Sequence, residues 1–113
     1  MEIVFRNAKL AKQCSSAKDC DRQYGDQLGK KIRQRLADLS AAETLGDVSK
    51  LPPARCHALS ADREGQFAVD LKQPYRLIFE PADEPVPGKP DGSVDQGRVT
   101  RIRIVEITDY HGR

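Results

Sequence analysis

His57 and His111 are the only imidazoles in the chain, and imidazole is the side chain whose ordinary pKa lets it trade protons near neutral pH. A lone histidine is more often an ordinary surface residue. His111, however, closes the run Asp109-Tyr110-His111, which sets a carboxylate, a phenol and an imidazole within three residues. In a regular strand, alternation sends Asp109 and His111 to one side and Tyr110 to the other, so all three serve one site only where the strand twists or ends. Arginines form the second group. Arg55, Arg63, Arg76, Arg101 and Arg103 fall in or beside the region that reads as strands, where a guanidinium fork can grip phosphate bidentately. The same arginines would also suit solvated strand edges that guard against aggregation.

Other chemistries lack their residues. The chain holds no P-loop, G-x-G-x-x-G, G-x-S-x-G, H-E-x-x-H or EF-hand pattern, so nucleotide hydrolysis, serine hydrolysis and metalloprotease chemistry are unsupported. One highly basic helix without a recognisable second recognition helix is poor support for a helix-turn-helix. Cys14, Cys20 and Cys56 are an odd set without C-x-x-C spacing, which suits reduced, half-buried thiols rather than a disulfide frame or a zinc site.

These residues need elements to position them. The opening EIVF reads as a short strand and NAKLAKQCSSAKDCDRQYG as a helix. Leu28, Ile32, Leu36 and Leu39 line one face at helical period, with Lys30, Lys31, Arg33, Gln34 and Arg35 covering the rest. Gly25 is a natural break, so residues 7–42 should form a helical hairpin with one apolar seam. After Pro52 and Pro53 the period changes to two. Phe67, Val69 and Leu71 alternate with Gln66, Ala68 and Asp70, and Tyr75, Leu77 and Phe79 with Arg76, Ile78 and Glu80. Both read as half-buried strands joined through Lys72, Gln73 and Pro74 into an antiparallel hairpin, with RCHALS as the strand before them. VTRIRIVEITDY, the segment richest in β-branched residues, puts Ile102, Ile104 and Glu106 on one face and Arg101, Arg103, Val105 and Ile107 on the other. The fold class is α+β: an N-terminal strand and a helical hairpin packed on one face of a small antiparallel sheet, whose other face is left to work.

With 113 residues, the chain fits one domain spanning residues 1–113. Lys and Arg total 19 against 17 Asp and Glu, a net charge of +2, and the mean hydropathy is −0.63. No run approaches the roughly 18 consecutive apolar residues of a membrane span, and the start lacks a signal-peptide core; the expectation is a soluble, cytosolic protein that does not engage membranes. Charge is unevenly placed. Residues 1–37 hold nine bases against four acids. The Pro- and Gly-rich segment 81–97 holds Asp83, Glu84, Asp91 and Asp95 against Lys89 alone and reads as a mobile acidic loop between two strands.

LPPARCHALSADREGQFAVDLKQPYRLIFEP followed by VTRIRIVEITDYHGR resembles the RelE/ParE superfamily, specifically the HigB-type "killer" toxins of bacterial toxin–antitoxin systems. The resemblance covers nearly the whole chain and is most specific at the LPP-to-His57 approach, Arg63, the Tyr75-Arg76 pair and Asp109-Tyr110-His111. It implies a RelE-like fold and a ribosome-dependent endoribonuclease that cuts messenger RNA in the A site without metal or other cofactor, using the substrate's 2′-OH as nucleophile. On that pattern His57 and His111 are catalytic, His111 moving the proton and His57 serving as the partner acid or base, with Asp109 orienting His111 or its neighbour and Tyr110 stacking on or hydrogen-bonding to the exposed nucleotide. Arg63 and Arg76, with Arg55 near them, would hold the scissile phosphate, and the basic helices, Lys30 and Lys31 included, would bind ribosomal RNA. The implied partner is a helix-turn-helix, HigA-like antitoxin, with a dimer or a toxin–antitoxin hetero-oligomer as the assembly. The superfamily also holds ParE-type gyrase poisons that lack the catalytic histidine, so gyrase poisoning is the alternative activity, and a non-catalytic antitoxin-binding module is the other.

Overall fold

The computed structural model describes residues 1–48, 50 and 55–109. Strand β1 (Glu2–Phe5) is followed by helices α1 (Ala8–Ser15), α2 (Ala17–Tyr24), α3 (Asp26–Ala41) and the single turn α4 (Leu45–Val48). Four strands then complete the sheet: β2 (His57–Ala58), β3 (Phe67–Asp70), β4 (Tyr75–Pro81) and β5 (Arg101–Asp109). The strand order is β1-β5-β4-β3-β2, with β1 parallel to β5 and every other pair antiparallel. The helices cover one face, where Leu10, Cys14, Cys20, Ile32 and Leu39 pack against Phe67, Val69, Leu77, Phe79, Ile102 and Ile104 in one core.

The predicted first helix is two. Ser16 is extended (φ −130°, ψ 149°) and its side chain caps α2 by accepting from Asp19 N at 3.0 Å; Asn7 caps α1 in the same way through Leu10 N at 2.8 Å. A serine beside a second helix start competes with the i−4 backbone bond, which breaks the run there. Gly25 makes the predicted turn, with φ of +85° and its N–H on the Asp21 carbonyl. At Gly29, α2 and α3 come so close that a Cβ would meet Asp21 Oδ1 at 2.2 Å. Arg33 and Arg35, read as solvent cover, are structural: Arg33 Nη1 grips Asp21 Oδ1 at 2.5 Å, and Arg35 is 5% exposed. Arg35 lies three residues after Ile32 and four before Leu39, which is the apolar seam itself.

Two further expectations are corrected in the sheet. Strand β3 is buried on both faces rather than half-buried, because Ala68 lies in a second small cluster with Ile78, Val105 and Leu59 on the side away from the helices. In β5 the pairing steps from Phe79–Ile104 to Ile78–Glu106, so Val105 is an extra residue, a bulge that reverses alternation beyond it. Glu106 therefore joins Arg101 and Arg103 on the open face, and Ile107 turns into the core. Segment 81–97 has internal order. Gly88 and Val94 form a bridge, and Asp83 fastens the segment's ends by accepting from Thr100 Oγ1 at 2.7 Å and Arg101 N at 3.1 Å. Burial alone would raise the Asp83 pKa, but these bonds outweigh it and lower it.

The helix layer carries a pH-sensitive group of acids. Burial, followed by the neighbouring Cys20, pushes the Cys14 thiol from an ordinary 9.0 up to about 11. Burial and the same two thiols push the Tyr24 phenol from 10.0 up to about 12. Both groups are favoured in their neutral form by folding, so their contribution is intact below about pH 9 and is lost as pH rises through 11 and 12. The midpoint of urea unfolding is expected to hold steady near neutrality and to fall through that alkaline window, and Cys14→Ala should shallow the fall. An equally steep fall in the variant would show that Cys14 is not its source.

Candidate functional site

The face of the sheet turned away from the helices gathers the predicted arginines. His57 pairs with Ala68, Ala68 with Ile78, and Asp70 with Arg76, and alternation puts His57, Ala68, Asp70, Arg76 and Ile78 on that one face. His57 Nε2 lies 3.5 Å from Arg76 Nη1, and its Nδ1 is 3.0 Å from the Arg55 carbonyl. A carbonyl only accepts, so Nδ1 carries the hydrogen of that bond and Nε2 presents its lone pair toward Arg76 when the ring is neutral. His57 is exposed, as a group that exchanges protons with a substrate must be. Arg55 holds a left-handed backbone, φ +49°, a conformation that costs a non-glycine residue about 1 kcal/mol.

Each of the five arginines meets a carboxylate. Arg55 and Arg76 converge on Asp70, Arg63 pairs with Glu106, Arg103 with Glu80 at 2.8 Å and Arg101 with Glu2 at 3.5 Å. Gln66 links two of these pairs, accepting from Arg63 Nη1 at 2.9 Å and donating to Glu80 at 3.3 Å. The arginines are thus oriented by partners, yet three of them keep exposed or part-exposed side chains: Arg55 is 75%, Arg63 34% and Arg76 30% exposed. A planar donor fork held by a carboxylate on one edge is suited to receive phosphate on another.

The remaining candidates fall in three places. Asp109 is exposed at the end of β5, opposite Tyr75 and one register position beyond the Arg76–Thr108 pair. It is therefore at the Arg76 end of the sheet, though alternation assigns it to the helix side. Tyr110 and His111 lie outside the described residues. Lys30 and Lys31 are not brought to His57: they sit on α3 and, with Gln27, Gln34 and Lys72, line a shallow hollow of about 410 Å³. Sequence reasoning missed Asp70, Glu80 and Glu106. Of these only Asp70 left a signal, a lone acid between Val69 and Leu71 in an otherwise apolar strand.

Helices on one side of a five-stranded sheet with a parallel β1–β5 pair at its edge make a fold that two solved toxin structures share. Over 98% of this chain and 97% of its own, the YoeB–YefM complex from Staphylococcus aureus superposes with a TM-score of 0.57 at 14% identity. Over 97% of this chain and 99% of its own, a YoeB/ParE toxin from Agrobacterium tumefaciens superposes with a TM-score of 0.53 at 10% identity. No protein-family model and no curated protein matches the chain.

Proposed function

We propose that the chain is the toxin of a type II toxin–antitoxin pair and that it acts as a ribosome-dependent messenger-RNA endoribonuclease. The observation that carries this reading is the approach of His57 Nε2 to Arg76 Nη1 at 3.5 Å on an exposed face that also holds Arg55 and Arg63. A proton-transfer group beside phosphate-binding groups is what cleavage of RNA by its own 2′-OH requires. The 2′-oxygen loses its proton to a base and bonds to the adjacent phosphorus, the 5′-oxygen leaves with a proton from an acid, and the upstream fragment ends in a 2′,3′-cyclic phosphate. His57 and His111 serve as that acid and base, Asp109 orients His111, and Tyr110 stacks on the exposed nucleotide. Arg76, Arg63 and Arg55 stabilise charge on the phosphate. Lys30 and Lys31, away from this site, hold ribosomal RNA by backbone charge, an affinity that falls with salt.

The fold likeness to YoeB in its complex with YefM supports a protein partner, which we assign as a helix-turn-helix, HigA-like antitoxin, and the site of action is the cytoplasm. The likeness to a YoeB/ParE toxin supports the toxin role and keeps gyrase poisoning as the second activity. Inducing the chain in a bacterial host without an antitoxin separates them. The expected outcome is growth arrest with new 5′-hydroxyl messenger-RNA ends inside translated regions and undamaged DNA. Arrest with DNA breaks and intact transcripts would establish the gyrase reading, and no arrest would leave a binding module.

A further inference from the structure

Asp70 lies beneath the site rather than beside it. It is 7% exposed, and its two oxygens are divided between two guanidiniums: Oδ1 is 3.4 Å from Arg76 Nε, and Oδ2 is 3.3 Å from Arg55 Nε. Its backbone is fixed from the other layer, where the buried Arg35 donates from Nε to the Asp70 carbonyl at 2.8 Å. Among the described residues Oδ1 accepts no hydrogen bond, so its hold on Arg76 is through charge. A carboxylate this far from water is tolerated in its ionised form only with opposite charge against it. Asp70 thus requires these arginines as much as it restrains them.

We propose that Asp70 is the positioning residue of the open face: by holding the Nε edges of Arg76 and Arg55 it aims their terminal Nη groups at the phosphate of a bound RNA. The proposal deepens the nuclease reading and rests on it for the identity of the phosphate. A guanidinium offers its donors in one rigid plane, with Nε–H on one edge and the Nη fork on the other. Arg76 shows the division directly, with Nε on Asp70 and Nη1 toward His57. A lysine, with one ammonium head, cannot serve two edges at once. Two guanidiniums drawn to one carboxylate would otherwise repel each other, and the buried Asp70 offsets that repulsion.

The test combines a direct measure of side-chain order with a double-mutant cycle. The Arg76 Nε–H resonance, assigned by its loss in Arg76→Lys, is followed in the wild type and in Asp70→Asn, with thermal unfolding as the check on folding. Cleavage of messenger RNA on programmed ribosomes is measured for Asp70→Asn, Arg76→Ala and the double variant. The expected result is an ordered Nε–H in the wild type that becomes mobile in Asp70→Asn, a fall in kcat of at least about tenfold with little change in KM, and a double variant no slower than Arg76→Ala. An Nε–H that is mobile in the wild type, or equally ordered in Asp70→Asn, overturns the proposal, and so do losses that multiply in the double variant. If Asp70→Asn does not fold, Arg76→Lys decides: it is expected to cut no faster than Arg76→Ala, and wild-type speed would overturn the proposal. A wild type that cuts no RNA defeats the nuclease reading alone, because the resonance still reports whether Asp70 holds Arg76.

Discussion

Arg76→Ala is expected to slow messenger-RNA cleavage by about 10²–10³-fold, the usual effect of removing one preorganised donor from a developing charge, and to abolish growth arrest while the protein still folds. Position is the reason. Among the described residues Arg76 is the arginine whose Nη group approaches His57, so its loss removes the charge beside the proposed proton-transfer group. The fold should survive, since the Arg76 side chain is 30% exposed and its strand neighbours Leu77, Ile78 and Phe79 are fully buried. Asp70 would lose one of its two side-chain ion pairs among the described residues and keep the one to Arg55, at a cost of about 1–3 kcal/mol for a partly uncompensated buried acid. Single-turnover cleavage on programmed ribosomes and urea unfolding separate the two effects. Arg101→Ala is the matched control: Arg101 pairs with Glu2 on β1, at the opposite edge of the sheet from β2 and His57, and should change the rate little. A rate for Arg76→Ala within about threefold of wild type, below the effect of a single oxyanion-type donor, would remove Arg76 from the phosphate.

Periodicity carried most of the fold, and its failures have identifiable causes. The 28-32-36-39 spacing in α3 and the alternation in β3 and β4 were legible because each element buries a stripe against one core, which is what a repeat in sequence records. The bulge at Val105 was not legible. One extra residue leaves every local preference unchanged while turning Glu106 out and Ile107 in, so strict alternation puts both on the wrong side. Ser16 presents the same problem in a helix, where a capping side chain and an ordinary helical serine look alike. Charge was read as surface throughout, and that concealed three roles. Arg35 is buried in the seam, Arg33 clamps α2 to α3, and Asp83 ties the ends of a segment whose acids otherwise suggested a free loop.

Site legibility divides along the same line. Histidine and arginine announce their chemistry by type, so His57, Arg55, Arg63 and Arg76 could be gathered from sequence before their geometry was known. Their orientation could not be, because it comes from acids on other elements: Asp70 on β3 for Arg55 and Arg76, and Glu106 on β5 for Arg63 across 43 residues. An even balance of acids and bases therefore does not speak against an RNA-binding surface here. Among these arginines the acids act as holders, and the net charge of +2 understates how many guanidinium edges are turned outward.

His57→Gln and His111→Gln are each expected to slow cleavage by about 10²–10⁴-fold, the range over which a positioned acid or base contributes. Glutamine keeps a hydrogen-bonding head of similar reach but does not titrate, so the loss isolates proton transfer from packing. His57 is exposed, and among the described residues its polar contacts are Arg76 and the Arg55 carbonyl, so His57→Gln should leave the urea midpoint nearly unchanged. Acid and base in one displacement act as a unit. If the two histidines are that unit, the double variant should be little slower than the slower single variant, whereas independent contributions would multiply. The comparison also separates their roles. Full activity in His57→Gln with none in His111→Gln would leave His111 as the proton-transfer group and make the His57–Arg76 contact a means of orienting the guanidinium.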